Sequence, residues 1–308
     1  MGLPSRYIAG SLALLAAFLV GGYFGRHDLF PIPALRRVLV GLLPRQPNQT
    51  SQFAFDRFGR LTADRNKPEI ACQQQTSRTA VLLLLGQSNT GNHGGQRYRS
   101  KYGDKVMNVF DGRCFVAASP LLGSDGVAGE YWTELGNLLI GRGQYDRVIL
   151  APAAITGSEI SRWSPGGDLN GLIGQTVERL EKAHFRVTHV LWHQGEFNYV
   201  IGSSERYYVD QFASLVGFLR SQGVDAPIYV SVASKCLGET NGGTLSHSLD
   251  NPIARAQAAL PNRLPGLRSG INTDSLLADT DRYDDCHFGG SGAQKAAEAW
   301  SDLLSTSP

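Results

Sequence analysis

No Gly-x-Ser-x-Gly segment occurs anywhere in these 308 residues. That absence counts against an α/β-hydrolase built on the strained strand-to-helix elbow. A surplus of one charge sign is also missing. Lys and Arg number 29 against 27 Asp and Glu, a net charge of +2, so there is no basic footprint for nucleic acid. The seven histidines are scattered without ligand spacing, so no metal or other cofactor is expected. There is no internal repeat. Cysteine is sparse, with only Cys72, Cys114, Cys236 and Cys286. Glycine is plentiful instead, at 36 residues, which suits many tight turns at strand ends.

The apolar run Ala80–Leu85 leads directly into Gly86-Gln87-Ser88-Asn89, and Asp284-Asp285-Cys286-His287 stands just before a final helical segment. A serine hydroxyl is a poor nucleophile until a base takes its proton, and the base needs a third group to orient it. Asp284 and His287 would supply both from one short loop. Taken singly, each segment has a plain alternative: an ordinary turn with Ser88 or Asn89 as helix N-cap, and a chance Asp-x-x-His. Two further segments alter the balance. Thr156-Gly157-Ser158-Glu159-Ile160-Ser161-Arg162-Trp163 follows the strand-like run Val148–Leu150, and Trp192-His193-Gln194-Gly195-Glu196 follows Val187–Leu191. Four polar, glycine-bearing segments thus sit at or after apolar runs, where an α/β sheet gathers its site residues.

In this order the four blocks resemble those of the SGNH hydrolase superfamily, in particular the sialate O-acetylesterase and plant-type acetylxylan esterase group. The resemblance spans roughly residues 79–305. Two positions depart from the group's pattern: Thr90 stands where Met is common, and Asn198 where Asp is usual. Both bear on substrate choice. The resemblance implies Ser88 as nucleophile, His287 as base and Asp284 as its orienter. It also implies an oxyanion hole made by the backbone N–H groups of Ser88 and Gly157 and the side-chain amide of Gln194. Gln87, Asn89, Trp163, His193 and Glu196 are candidate substrate contacts. For His193 a strand-end histidine satisfied by hydrogen bonds is the plainer reading, for Glu196 a structural acceptor, and for Trp163 and Trp192 core packing.

Short β-branched runs alternate with longer amphipathic stretches from residue 79 onward. Strands are expected at Val81–Leu85, Val106–Phe110, Val148–Ala151, Val187–Trp192 and Ile228–Ala233. Helices are expected at Tyr131–Ile140, Leu172–Ala183, Glu205–Arg220, Pro252–Leu260 and Gly292–Leu304. The fold class is α/β, a three-layer α/β/α sandwich with a mainly parallel, flavodoxin-like sheet.

Residues 1–26 read as a transmembrane signal-anchor. Tyr7–Gly25 is about nineteen residues without a charge, bracketed by Arg6 and Arg26, long enough to span a bilayer core. A cleaved signal peptide is the rival, although no Ala-x-Ala-like site follows the run. Residues 27–78 read as a linker punctuated by Pro31, Pro33, Pro44 and Pro47, with Pro33–Leu43 either an amphipathic surface helix or a plain tether. Asn48-Gln49-Thr50 fits a glycosylation acceptor, relevant only in a eukaryotic secretory route. Phe53–Leu61 is a candidate hairpin packing onto the domain that fills residues 79–308.

After a membrane segment, an even number of cysteines suggests disulfides in an oxidising compartment. Three pairings exist. Cys72–Cys114 with Cys236–Cys286 is favoured, because Cys236 follows the strand Ile228–Ala233, whose end should neighbour the Asp284–His287 loop. The combined expectation is a single-pass, membrane-anchored, extracytoplasmic (periplasmic or extracellular) enzyme acting on acetylated carbohydrate. Acetyl transfer to a polysaccharide and a catalytically silent carbohydrate-binding or assembly protein are the alternatives.

Overall fold

The strand Thr79–Gly86 (β4) is buried along its whole length, as expected of a central strand covered on both faces. It lies between Arg147–Ala154 (β7) and His189–His193 (β8), parallel to both. Ile228–Val232 (β9) and Leu267–Asn272 (β12) continue beyond β8, again parallel, while Glu239–Thr240 (β10) and Gly243–Thr244 (β11) form a separate antiparallel pair. On the other side Val106–Phe110 (β5) runs parallel to β7. Arg113–Val116 (β6) and Glu69–Ile70 (β3) then close that edge antiparallel. The result is a mixed eight-stranded sheet in the order β12-β9-β8-β4-β7-β5-β6-β3. The five strands β7-β4-β8-β9-β12, numbered along the chain, read 2-1-3-4-5. That is the doubly wound order with its switch point beside the first strand, so the crevice opens at the exit of β4. The computed structural model describes residues 51–236, 239–240, 243–244 and 248–305.

Alternation along β4 assigns the two helical layers. Leu82 and Leu84 join Val148, Leu150, Trp132, Leu135 and Trp300 in one core, which includes the helices Trp132–Gly141 and Gly290–Ser305. Leu83 and Leu85 join Val190, Ile173, Val177, Phe212, Leu215 and Leu260 in the other, with the helices Asn170–Lys182, Glu205–Ser221 and Pro252–Arg263. Each such leucine taken out of water contributes about 1.5–3 kcal/mol. Local chemistry sets several helix starts. Asn251 accepts the N–H groups of Ile253 and Ala254, both at 3.0 Å, with Pro252 at the first helical position.

Residues 52–78, read from sequence as the end of a linker, fold with the sheet. Phe53–Phe55 (β1) and Leu61–Asp64 (β2) form an antiparallel hairpin, β3 is an edge strand, and Cys72 is bonded to Cys114 of β6. Gln52 onward is one compact unit. Three strands at the ends of the sheet, β3, β6 and β12, lie outside the expected set, since none carries the long apolar run that marks a central strand. The expected span Tyr7–Gly25 and the segment Pro33–Leu43 lie outside the described residues. Among the described residues no helix is long and apolar enough to cross a membrane.

Candidate active site

Gly86, the last residue of β4, is paired with Ala154 on one side and His193 on the other. The segments that follow the three strands therefore leave the sheet at one level. A Cβ on Gly86 would stand 2.0 Å from the His193 carbonyl oxygen, so only glycine lets β4 turn here. The turn then closes on itself, with the N–H groups of Thr90 and Gly91 both donating to Gln87 O at 2.9 Å. Thr90 Oγ1 donates to His193 O at 2.8 Å. This fastens the serine turn to β8, and buried Thr90 is a structural residue, not a substrate contact.

Asp284 organises the loop that would carry the base. Its Oδ1 accepts the N–H groups of Cys286 and His287 at 2.7 and 2.6 Å, and its Oδ2 lies 2.8 Å from His287 Nδ1. Burial pushes the Asp284 carboxyl up, but hydrogen bonds from His287 and Cys286 outweigh it and hold the group below the usual carboxylate range. An ionised carboxylate only accepts, so Nδ1 donates to it, and in the neutral imidazole Nε2 is then the lone-pair nitrogen. That Nε2 is buried and has no hydrogen-bond partner among the described residues. Asn89 ties the two loops together. Its Nδ2 donates to Cys286 O at 3.2 Å and its Oδ1 accepts Phe288 N–H at 3.3 Å. The residues on either side of His287 are thus clamped by the neighbour of Ser88. The Cys236–Cys286 disulfide secures the same loop to the exit of β9, and both expected pairings are present.

Of the three expected oxyanion donors, two are unencumbered. The backbone N–H groups of Ser88 and Gly157 meet no acceptor among the described residues. Gly157 sits at φ +61° with open space where a Cβ would be. Gln194 differs. Its side chain is fully buried, and Nε2 donates to Ser158 O at 2.9 Å and Asn198 Oδ1 at 2.7 Å. Tyr208 OH donates to its Oε1 at 3.0 Å. Both amide hydrogens have acceptors inside the protein, which leaves none for an oxyanion, so Gln194 braces the floor of the site instead. Asn198 belongs to that floor, with Oδ1 also accepting Ile160 N–H at 2.9 Å and Nδ2 donating to Ser203 Oγ at 2.9 Å. Gln194→Ala should therefore strand several buried polar groups and cost about 2–4 kcal/mol of stability. Thermal melts check this. A variant that melts like the parent but loses 10²–10³ in kcat would return Gln194 to the oxyanion hole.

The five candidate substrate contacts are all interior. Gln87, Asn89, Trp163, His193 and Glu196 are at most 5% exposed. Gln87 Oε1 accepts Phe197 N–H at 3.1 Å. Trp163 meets Trp192 edge to face in the core and donates to Ser158 Oγ. His193 Nδ1 lies 3.1 Å from Tyr131 OH, and Glu196 accepts from Asn89 Nδ2 at 2.8 Å. A polar network under a site needs the same residue types as a site, which is why sequence could not separate the two. An accessible groove lies beside the base loop. Tyr283 is 55% exposed and its ring lies nearly parallel to that of His287, at 18° and 5.8 Å. It borders an open groove of about 640 Å³, also lined by Gly94, Gly95, Gln96, Arg97 and Val127. Among the described residues no cluster of His, Cys, Asp and Glu is arranged to hold a metal ion.

The family model described as carbohydrate esterase, sialic acid-specific acetylesterase matches residues 78–238. No curated protein sequence matches the chain. A solved structure of a protein from Arabidopsis thaliana is similar in fold, at 17% identity and a TM-score of 0.56 over 74% of this chain and 97% of that one. XAC1771, a carbohydrate acetylesterase from Xanthomonas citri, is 16% identical with a TM-score of 0.47, over 72% of this chain and 55% of its own. NanS is 15% identical with a TM-score of 0.46, over 73% and 96%.

Proposed function

The chain belongs to the carbohydrate esterase family of sialic acid-specific acetylesterases, and from that premise we propose that it removes O-acetyl groups from a sugar through an acyl intermediate on Ser88. Family membership makes it a carboxylic ester hydrolase. What supports the serine mechanism most is one arrangement. Asp284 holds Nδ1 of His287, and the unpartnered Nε2 belongs to a loop that Asn89 clamps to the serine turn.

Ser88 Oγ attacks the acetyl carbonyl as His287 Nε2 takes its proton. The negative charge that develops on the carbonyl oxygen is met by the N–H groups of Ser88 and Gly157, and Asp284 stabilises the imidazolium. His287 then protonates the leaving sugar oxygen, and water repeats the sequence in reverse to free acetate. No charge has to be built up in the site without a partner already in place. The groove beside Tyr283 is where the sugar would lie, and its volume falls within the range of about 300–1,000 Å³ usual for ligand sites.

The test is turnover of an aryl acetate against aryl esters of longer acids, followed by a panel of acetylated glycans. Preference for acetate and release from a glycan are expected. Hydrolysis confined to long-chain esters would sink the carbohydrate reading. We also propose, from the uncharged run Tyr7–Gly25, that the enzyme is anchored in a membrane with its catalytic part on the oxidising side. Full-length protein should stay with membranes through a carbonate wash. A soluble form starting near residue 26 would mean a cleaved signal instead.

A further inference from the structure

A second imidazole–carboxylate pair stands beside the first, on residues outside the four sequence blocks. His93 Nε2 lies 3.2 Å from Asp125 Oδ1 and 2.6 Å from Thr156 Oγ1. Asp125 Oδ2 accepts the N–H of Thr156 at 2.8 Å. The three residues come from three different loops: the serine turn's continuation, the segment before the helix Trp132–Gly141, and the exit of β7. The His93 ring lies nearly parallel to that of His287, at 28° and 5.7 Å between centroids.

Asp125 is itself fixed on both sides. Its N–H donates to Ala154 O at 3.1 Å and its carbonyl accepts Asn92 N–H at 3.0 Å. Backbone also approaches the pair closely at two glycines. A Cβ on Gly91 would stand 2.9 Å from Asp125 Oδ1, and one on Gly126 would stand 2.7 Å from His93 Nε2. Two glycines are therefore needed to let these side chains meet.

The turn that Asp125 grips is the one before Gly157. Glycine has no side chain to anchor it, and here nothing lies within 4 Å of where a Cβ would be. A donor that stabilises an oxyanion has to be in place beforehand, because reorganising it during the reaction forfeits the advantage. With Thr156 held at both its N–H and its Oγ1, one torsion remains as the chief freedom of the Gly157 N–H. The carboxylate is a strong acceptor for such a task, since hydrogen bonds to charged groups are about twice as strong as neutral ones.

We propose that Asp125 is a positioning residue for ester hydrolysis: it holds the Thr156–Gly157 turn so that the Gly157 N–H meets the oxyanion, while His93 couples that turn to the ring of His287. The proposal rests on the acyl-serine reading above. Asn at position 125 could still accept the Thr156 N–H, while its amide would make His93 accept at Nε2 and move the imidazole proton to Nδ1.

The experiment measures kcat, KM and melting temperature of the full-length enzyme on 4-nitrophenyl acetate. Asp125→Ala should lower kcat by about 10–100-fold, the scale on which a displacement of about 1 Å acts, with KM within about twofold. Asp125→Asn should recover most of the loss. A folded Asp125→Ala protein with parental kcat, or one whose loss lies in KM, overturns the proposal, as does an Asn variant no better than Ala. Should Asp125→Ala fail to fold, His93→Ala decides the matter. A kcat lowered about tenfold at unchanged KM supports the coupling, and a parental kcat refutes it. Parental enzyme that releases no acetate would remove the acyl-serine reading itself, and the proposal with it. Normal parental turnover lost in Ser88→Ala, together with an indifferent Asp125→Ala, would remove the proposal alone.

Discussion

Ser88→Ala should lower kcat for acetate release by on the order of 10⁴ or more, and His287→Ala by a comparable factor, while both proteins stay folded. The fold should survive because little structure depends on the exchanged atoms. Ser88 Oγ has no hydrogen-bond partner among the described residues, so its removal strands nothing. His287 gives up one side-chain hydrogen bond, from Nδ1 to Asp284 Oδ2, and its ring contacts with Tyr283 and His93, and that carboxylate keeps the N–H groups of residues 286 and 287 on its other oxygen. The rate should collapse because the two groups act as a unit. With the hydroxyl gone the base has no proton to take, and with the base gone the hydroxyl stays un-ionised. The double variant should consequently be hardly slower than either single one. Single-turnover release by purified Ser88→Ala at near the parental rate would end the acyl-serine assignment.

Opening the Cys236–Cys286 bridge should be the next largest effect, and activity should fail before the fold does. The bridge closes 50 residues, for which chain entropy gives about 4 kcal/mol as an upper figure. Its local consequence is sharper. Cys286 supplies the carbonyl that receives Asn89 Nδ2 and the N–H that Asp284 accepts, and the next residue is the base. Cys236→Ser with Cys286→Ser should reduce kcat at temperatures where circular dichroism still reports the parental fold. Non-reducing peptide mapping is the control. Free thiols at both positions, or a Cys72–Cys286 link, would contradict the bridge and the compartment inferred from it.

The central strands could be read from the chain because burial on both faces demands unbroken apolar runs. Ala80–Leu85 and Val148–Leu150 have them and became β4 and β7. Peripheral strands such as the edge Leu267–Asn272, with its alternating exposure, carry no such mark and were missed. Helices with an apolar stripe were placed to within a few residues, as with Glu205–Ser221 against the expected Glu205–Arg220. In the site, that the serine turn and the Asp284–His287 loop adjoin, as the Asn89 bonds to Cys286 and Phe288 show, was legible in the order of the blocks. The direction of an amide was not, because Gln194 is turned by Ser158 and Asn198, residues that periodicity cannot rank. His93 and Asp125 were invisible for a related reason. They meet through irregular loops, and the one local hint was glycine at 91 and 126, among 36 glycines.

The clamp between Asn89 and Cys286 joins residues 197 positions apart, and this gives the enzyme an order in time. On the proposed assignment, the nucleophile at position 88 is synthesised well before the base at position 287. The closing helix Gly290–Ser305, whose Trp300 is fully buried in the core with Leu84, comes later still. If His287 is the base, a chain still being made, or one cut short before residue 287, should leave Ser88 without its proton acceptor. Under the proposed mechanism, hydrolysis begins only once the Asp284–His287 loop has been made and clamped to the serine turn.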